Sequence, residues 1–162
     1  MSVRAYNREA ALAYAAQWWG GRNPQYFAFD KLGGDCTNFV SQCIYAGSSI
    51  MNYTPTFGWY YKNGNAKAPA WTGVPYLFNF LTRQDKSVGP FGHKADWVDM
   101  EVGDVIQLSF GGKEWRHTLL VVGVGADGTP MVAAHDDNAW MRRLDEYDFQ
   151  ICRMIHIDGV RV

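Results

Sequence analysis

Cysteine is scarce in this chain, and its distribution excludes a stapled fold. Three cysteines is an odd count, so at least one thiol is left over from any pairing. Cys36 and Cys43 cannot bridge within one straight helix, because seven residues rise about 10.5 Å and a disulfide tolerates only about 7 Å between Cα atoms. No C-x-x-C pair is present to hold zinc. The run Asp136-Asp137-Asn138 lacks the alternating Asp/Gly pattern of a calcium loop, so neither a metal nor a cofactor is expected. Long apolar runs are missing too. No segment approaches the roughly 18 residues of a membrane span, and Met1 to Ala5 has no apolar core of the kind a signal peptide needs. A net charge of −1 gives no electrostatic drive toward nucleic acid or an anionic membrane.

What is present describes an ordinary globule. Hydrophobic content is 48% and charged content 19% over 162 residues, enough for one domain over 1–162 with a real core. Aromatic residues stand out at 15%, which fits either a well-filled core or a stacking groove for peptide or sugar.

The most informative stretch is Gly33-Gly34-Asp35-Cys36-Thr37-Asn38-Phe39-Val40-Ser41-Gln42-Cys43-Ile44. Two glycines free a tight turn, and Asp35 suits a helix N-cap accepting from the Asn38 amide. Apolar residues at 36, 39, 40, 43 and 44 then mark one buried helical face, with Gly47 as a stop. Cys36 falls in the first turn, where unpaired N–H groups and the dipole favour a thiolate. Cys43, two turns on, reads as packing.

The remaining elements follow from local signals. Asn7 caps a helix through Trp19 that stops at Gly20-Gly21. Residues 48–75 form a long aromatic-rich loop, and Val74 to Leu81 a short helix. The last third reads as strands, with Asp127-Gly128 as a hairpin turn between Leu119-Leu120-Val121-Val122 and Met131 to His135. Helices first and an antiparallel meander afterwards is an α+β pattern.

A cysteine nucleophile needs a base, and histidine is the usual one. His117 opens a buried strand, and His135 ends the next strand of the same hairpin. Counted from Asp127-Gly128 the two are rough cross-strand neighbours, so one could take the thiol proton while the other orients it. Asp136, Asp137 and Asn138 could orient His135, replace it, or merely form a turn. His93 reads as solvated, His156 as structural, and Asp104 as a turn or strand-start residue.

With these residues in view, the chain resembles the "putative amidase" domain of Gram-positive bacteria. The resemblance runs over residues 7–145, through Asn7-Arg8-Glu9-Ala10-Ala11, Asn23-Pro24-Gln25-Tyr26, Asp35 to Cys43, Pro69-Ala70-Trp71-Thr72, Val102-Gly103-Asp104-Val105-Ile106, His117-Thr118 and Ala134-His135. That group is similar to NlpC-type cell-wall peptidases and CHAP amidases among the papain-like cysteine hydrolases. The resemblance implies a nucleophile-bearing helix packed on an antiparallel sheet. It implies Cys36 as nucleophile, His117 as base and His135 as the third residue, with Asp136 the alternative third. Tyr26 and Asp35 would line the site; apart from the resemblance, the aromatic-rich loop itself puts forward Trp59 and Trp71 as a substrate-facing surface. The expected reaction is hydrolysis of an amide in a peptide or peptidoglycan fragment through a thioester, by a monomer needing no cofactor. It also implies the cell envelope or exterior, although no signal peptide is visible. A non-catalytic wall-binding module and a thioester-using acyl transferase stay open as alternatives.

Overall fold

The computed structural model describes residues 2–162. In chain order it comprises β1 (Val3–Arg4), α1 (Arg8–Trp18), α2 (Cys36–Ser48), β2 (Tyr61–Asn63), β3 (Ala66–Lys67), α3 (Pro69–Thr72), α4 (Val74–Leu81), β4 (Gly89–Ala95), β5 (Val105–Ser109), β6 (His117–Val124), β7 (Pro130–Ala134), β8 (Ala139–Arg143) and β9 (Ile151–Arg161). The class is α+β. A seven-stranded antiparallel sheet runs β1-β9-β5-β6-β7-β8. β9 also carries β4, and its Ile155 pairs with Lys94 on that side and Val105 on the other.

The sheet is covered on both faces, and strand alternation divides its side chains between two cores. Val105, Leu120, Val122, Ala133 and Ile155 point to the helices, where they meet Phe39, Val40, Cys43 and Ile44 of α2. Ile106, Leu108, Leu119, Val121 and Val132 point to the opposite face and pack with Met100, Leu144 and Tyr147. The expected helix boundaries are close to those found. Asn7 Oδ1 accepts from Ala10 N at 3.0 Å and starts α1, and Ala11 and Ala15 let α1 lie close on α2. α2 runs one residue past Gly47 and ends at Ser49, which adopts φ 58°.

α2 is buried almost all round, its polar residues included. Buried polar groups must be hydrogen-bonded, and the aromatic side chains of the 48–75 segment meet that demand. Trp59 Nε1 donates to Ser41 Oγ at 3.0 Å, and Trp71 Nε1 donates to Asn38 Oδ1 at 3.0 Å. That segment is not a plain loop. It holds an Asn52–Trp59 bridge, the β2–β3 hairpin and α3. Residues 89–93 supply most of β4.

A second anchor lies at Asp104, which is fully buried. Its carboxylate accepts from Arg8 Nη1 at 2.7 Å, from Ile157 N at 2.9 Å and from Glu101 N at 2.9 Å, and lies 2.8 Å from His156 Nδ1. It joins α1, β9 and the turn before β5, the strand-start role its sequence position suggests. Asp104→Ala leaves these donors without their acceptor, and removing one member of a buried pair costs about 3–5 kcal/mol. Urea unfolding followed by circular dichroism should show a loss of that order, with a smaller one for Asp104→Asn.

Candidate active site

The turn into α2 differs from its expected form. Gly33 and Gly34 adopt φ of 90° and 102°, so the chain reverses as anticipated. Asp35, however, does not cap the helix. Its side chain turns inward, where Oδ1 accepts from Phe29 N at 2.7 Å and from the Asn38 side-chain Nδ2 at 2.9 Å. The cap comes from Asp136, at the end of β7. Its Oδ1 accepts from Asp35 N at 2.6 Å and its Oδ2 from Cys36 N at 3.1 Å. A carboxylate on the first amides satisfies two open donors and sits at the positive end of the helix. Gly34 makes room for it, since a Cβ there would lie 2.6 Å from Asp136 Oδ2.

The two histidines are separated by register. β6 and β7 pair Leu120 with Ala133 and Val121 with Val132. Toward the site the ladder ends there and the chain turns at 135–138, with Asp136 and His117 lining one cleft. A one-residue offset exchanges faces of a sheet. His135 therefore shares the helix side with Thr118, where it is buried and stacks on Phe39 with ring centroids 4.0 Å apart. Its Nδ1 lies 2.5 Å from Asp35 Oδ2, and its Nε2 lies 2.8 Å from Trp18 O. Both ring nitrogens are engaged, so His135 holds Asp35 and does not orient His117. The expectation that Asp35 lines the site gives way for the same reason, since this carboxylate is 1% exposed and spent on His135, Phe29 and Asn38.

His117 lies 5.9 Å from the Tyr147 ring, centroid to centroid, in a cleft of about 370 Å³ shared with Asp136, Asp137 and Arg142. Burial pulls its pKa below the usual imidazole value, against the upward influence of Asp136 and Asp137. Cys36 is 6% exposed, with Sγ 3.7 Å from Thr37 Oγ1 and 4.0 Å from Arg116 O. Burial pushes its thiol up to about 11; the negative charge of Asp136 adds to this, and the Thr118 backbone opposes it. At neutral pH the two groups rest as thiol and imidazole, and among the described residues no hydrogen bond links them. The helix terminus alone does not ionise Cys36, as its position in the sequence suggests it should.

Trp59 and Trp71 were expected to face substrate, but both are fully buried and serve α2 instead. Tyr26 is half-buried, stacked 6.0 Å from Trp71 and 4.9 Å from Tyr61, measured between ring centroids. His93 is exposed and 2.9 Å from Asp158, and His156 is tied to Asp104. Asp136 is thus the residue whose weight the sequence understated. Its partner amides lie 100 residues away, and no local pattern announces such a contact. Among the described residues no cluster of His, Cys, Asp and Glu is arranged to hold a metal, and no helix is long and apolar enough to cross a membrane.

A cysteine in the first turn of a buried helix, with a histidine and an aspartate from the adjoining sheet, defines a candidate thiol-dependent site. The family is settled by comparison: residues 5–156 match the family described as "Putative amidase domain", and the chain belongs to it. It is also 31% identical over 140 residues to the uncharacterized protein YhbB of Bacillus subtilis (strain 168), covering 85% of this chain and 43% of that protein. The chain thus spans less than half the length of this relative. No solved structure matches it.

The electrostatics of Cys36 can be read by alkylation. Iodoacetamide labelling should stay slow at pH 8 and rise as the pH approaches 11. Asp136→Asn keeps an acceptor for the α2 amides but removes a negative charge that adds to burial in keeping the thiol protonated. A thiolate fraction changes tenfold per pKa unit, so labelling of Asp136→Asn at pH 8 should be about fivefold or more faster than wild type. Cys43, fully buried in the same helix, should remain unlabelled and reports intact folding. Mass spectrometry of the labelled peptides measures both.

Proposed function

We propose that this chain is a single-domain cysteine amidase of papain-like architecture, allied to the NlpC and CHAP hydrolases, cleaving an amide in peptidoglycan stem peptides. The observation that carries the reading is the carboxylate oxygen of Asp136 at 3.1 Å from Cys36 N–H. An anion is held beside the thiol, where the carbonyl oxygen of an attacked amide gathers charge. Such a donor contributes about 2.7–4 kcal/mol to a transition state.

The chemistry then runs as follows. Substrate takes the Cys36 N–H from Asp136, and the freed carboxylate turns to His117, which lines the same cleft. The Arg116 carbonyl lies 4.0 Å from Sγ and sets the start of β6 beside the thiol. His117 leaves that strand on the face toward Tyr147, so in this scheme its ring swings round the strand end to reach Cys36. Catalytic hydrogen bonds commonly tighten only with substrate in place. His117 accepts the thiol proton as sulfur attacks the amide carbon, and the C–N bond breaks as His117 returns that proton to the departing amine. Water, deprotonated by His117, cleaves the thioester and releases acid and free thiol. In this scheme Asp136, the alternative third residue of the sequence reading, takes the orienting role first given to His135.

One observation favours a second reading, a non-catalytic module that binds wall peptide: the resting thiol is buried and protonated. The two separate in one experiment. Purified stem peptides incubated with wild type should be hydrolysed, with release of a new amine. Cys36→Ala and His117→Ala should each lower kcat/KM at least a hundredfold, the scale on which acid–base catalysis acts. His135→Ala should instead lower the melting temperature. Undiminished turnover in either Cys36→Ala or His117→Ala overturns the cysteine mechanism.

A further inference from the structure

On the helix-facing side of the sheet, two strands from the thiol, stands a cation that none of the described residues neutralises. Arg153 projects from β9 between the rings of Phe78 and Trp115, its guanidinium carbon 3.8 Å and 4.2 Å from their centroids. Its Nε donates to Gln107 Oε1 at 2.9 Å. Its Nη2 is buried and without a hydrogen-bond partner among the described residues, and no carboxylate there stands in ion-pair range. The neighbouring inward side chain on β5 is Ser109, whose buried Oγ is likewise unpartnered. Native interiors leave few polar atoms unpaired, and each calls for an explanation. The two donors stand on diagonal positions of the ladder, about 7–8 Å apart at the backbone, since Ser109 pairs with Ile151 and Gln107 with Arg153.

Hydrogen bonds tie this spot to the nucleophile. Gln107 Nε2 donates to Thr118 Oγ1 at 3.3 Å, and Thr118 Oγ1 lies 2.8 Å from Thr37 Oγ1, beside Cys36. Thr118, Gln107 and Arg153 occupy one register row across β6, β5 and β9. Strands lie about 4.8 Å apart, so Arg153 is about 10 Å from Thr118, a separation and not a path, since Thr118 and Gln107 are fully buried. An extended peptide covers about 10 Å with three residues. Over Arg153 lies the 110–116 loop bearing Trp115, and its Gly111 and Gly112 have no atom within 4 Å of where a Cβ would stand.

We propose that Arg153, with Ser109 diagonally across the ladder, is a carboxylate-binding subsite, and that the substrate is a peptide amide carrying a carboxylate two or three residues from the bond attacked by Cys36. The inference rests on Cys36 marking the reacting end of the site, and it deepens the amidase reading by naming the charge its substrate bears. Arginine suits the task because its planar fork matches both oxygens of a carboxylate. The aromatic sandwich holds that fork flat, and the partial burial that lowers the Arg153 pKa to about 10 leaves it cationic at neutral pH. Trp115 would ride over the bound group.

The test separates binding from turnover. In the Cys36→Ala background, calorimetry compares acetyl-Ala-Ala-Ala with its C-terminal amide, in L and D forms. The acid of one form should bind at least tenfold more tightly than its amide. Arg153→Gln should remove that preference while leaving the affinity of the amide unchanged, and Ser109→Ala should reduce it severalfold. If Arg153→Gln does not fold, Arg153→Lys carries the comparison, since it keeps the charge but loses the fork, and should bind the acid more weakly. Equal binding of acid and amide, binding of neither, or a preference that survives these substitutions overturns the proposal. An Arg153-dependent acid preference in a protein that hydrolyses no stem peptide supports the subsite and sinks the amidase reading alone.

Discussion

One carboxylate joins the two halves of this molecule. Asp136 leaves the end of β7 and places both oxygens on the first amides of α2, so the sheet supplies the cap that the helix's own sequence does not. A cap is ordinarily local, worth about 1 kcal/mol, and its loss frays a helix end. This cap also fixes where the thiol stands relative to β6. The left-handed conformations of Asp136 and Asp137, with φ of 62° and 111°, suit that arrangement, because they aim the side chain out of the sheet's plane and back at the helix. Non-glycine residues hold such conformations at a cost and cluster at functional sites.

Around that contact the site is supported in two layers. Asp35 and His135, both buried, hold the turn from behind, with Arg22 3.6 Å from Asp35 Oδ2 at the solvent edge. Trp59, Trp71 and Tyr14 then supply donors to the polar residues of α2, which could not otherwise be buried on all sides. A rigid helix positions its first residue more reliably than a loop does, and α2 is rigid because its polar side chains are spoken for. The aromatic abundance of the chain finds its main use here.

Much of this was legible in the sequence wherever the determinant is local. Asn7 as a cap, the apolar face of α2, the short helix at Val74 and the Asp127-Gly128 turn all depend on residues a few positions apart. Reading stopped where the determinant is distant. Trp59 and Trp71 look alike in a groove or a core until Ser41 and Asn38 are known to need donors. The two histidines count as opposite each other from the hairpin turn, yet one residue of offset puts them on opposite faces, and Asp136 shares the cleft with His117. The same offset sends His135 through to Asp35. Asp35 looked like a cap because Asp before a helix usually is one, and nothing nearby reveals a second aspartate brought in from 100 residues away.

The fit of Asp136 against Gly34 reaches into how such a site can diversify. Any side chain at position 34 would strike the carboxylate oxygen of Asp136 and force it off the α2 amides. The two positions are sterically interlocked although a hundred residues part them. Exchanges that are harmless together would be damaging singly, so related chains should carry the pair as a joint inheritance.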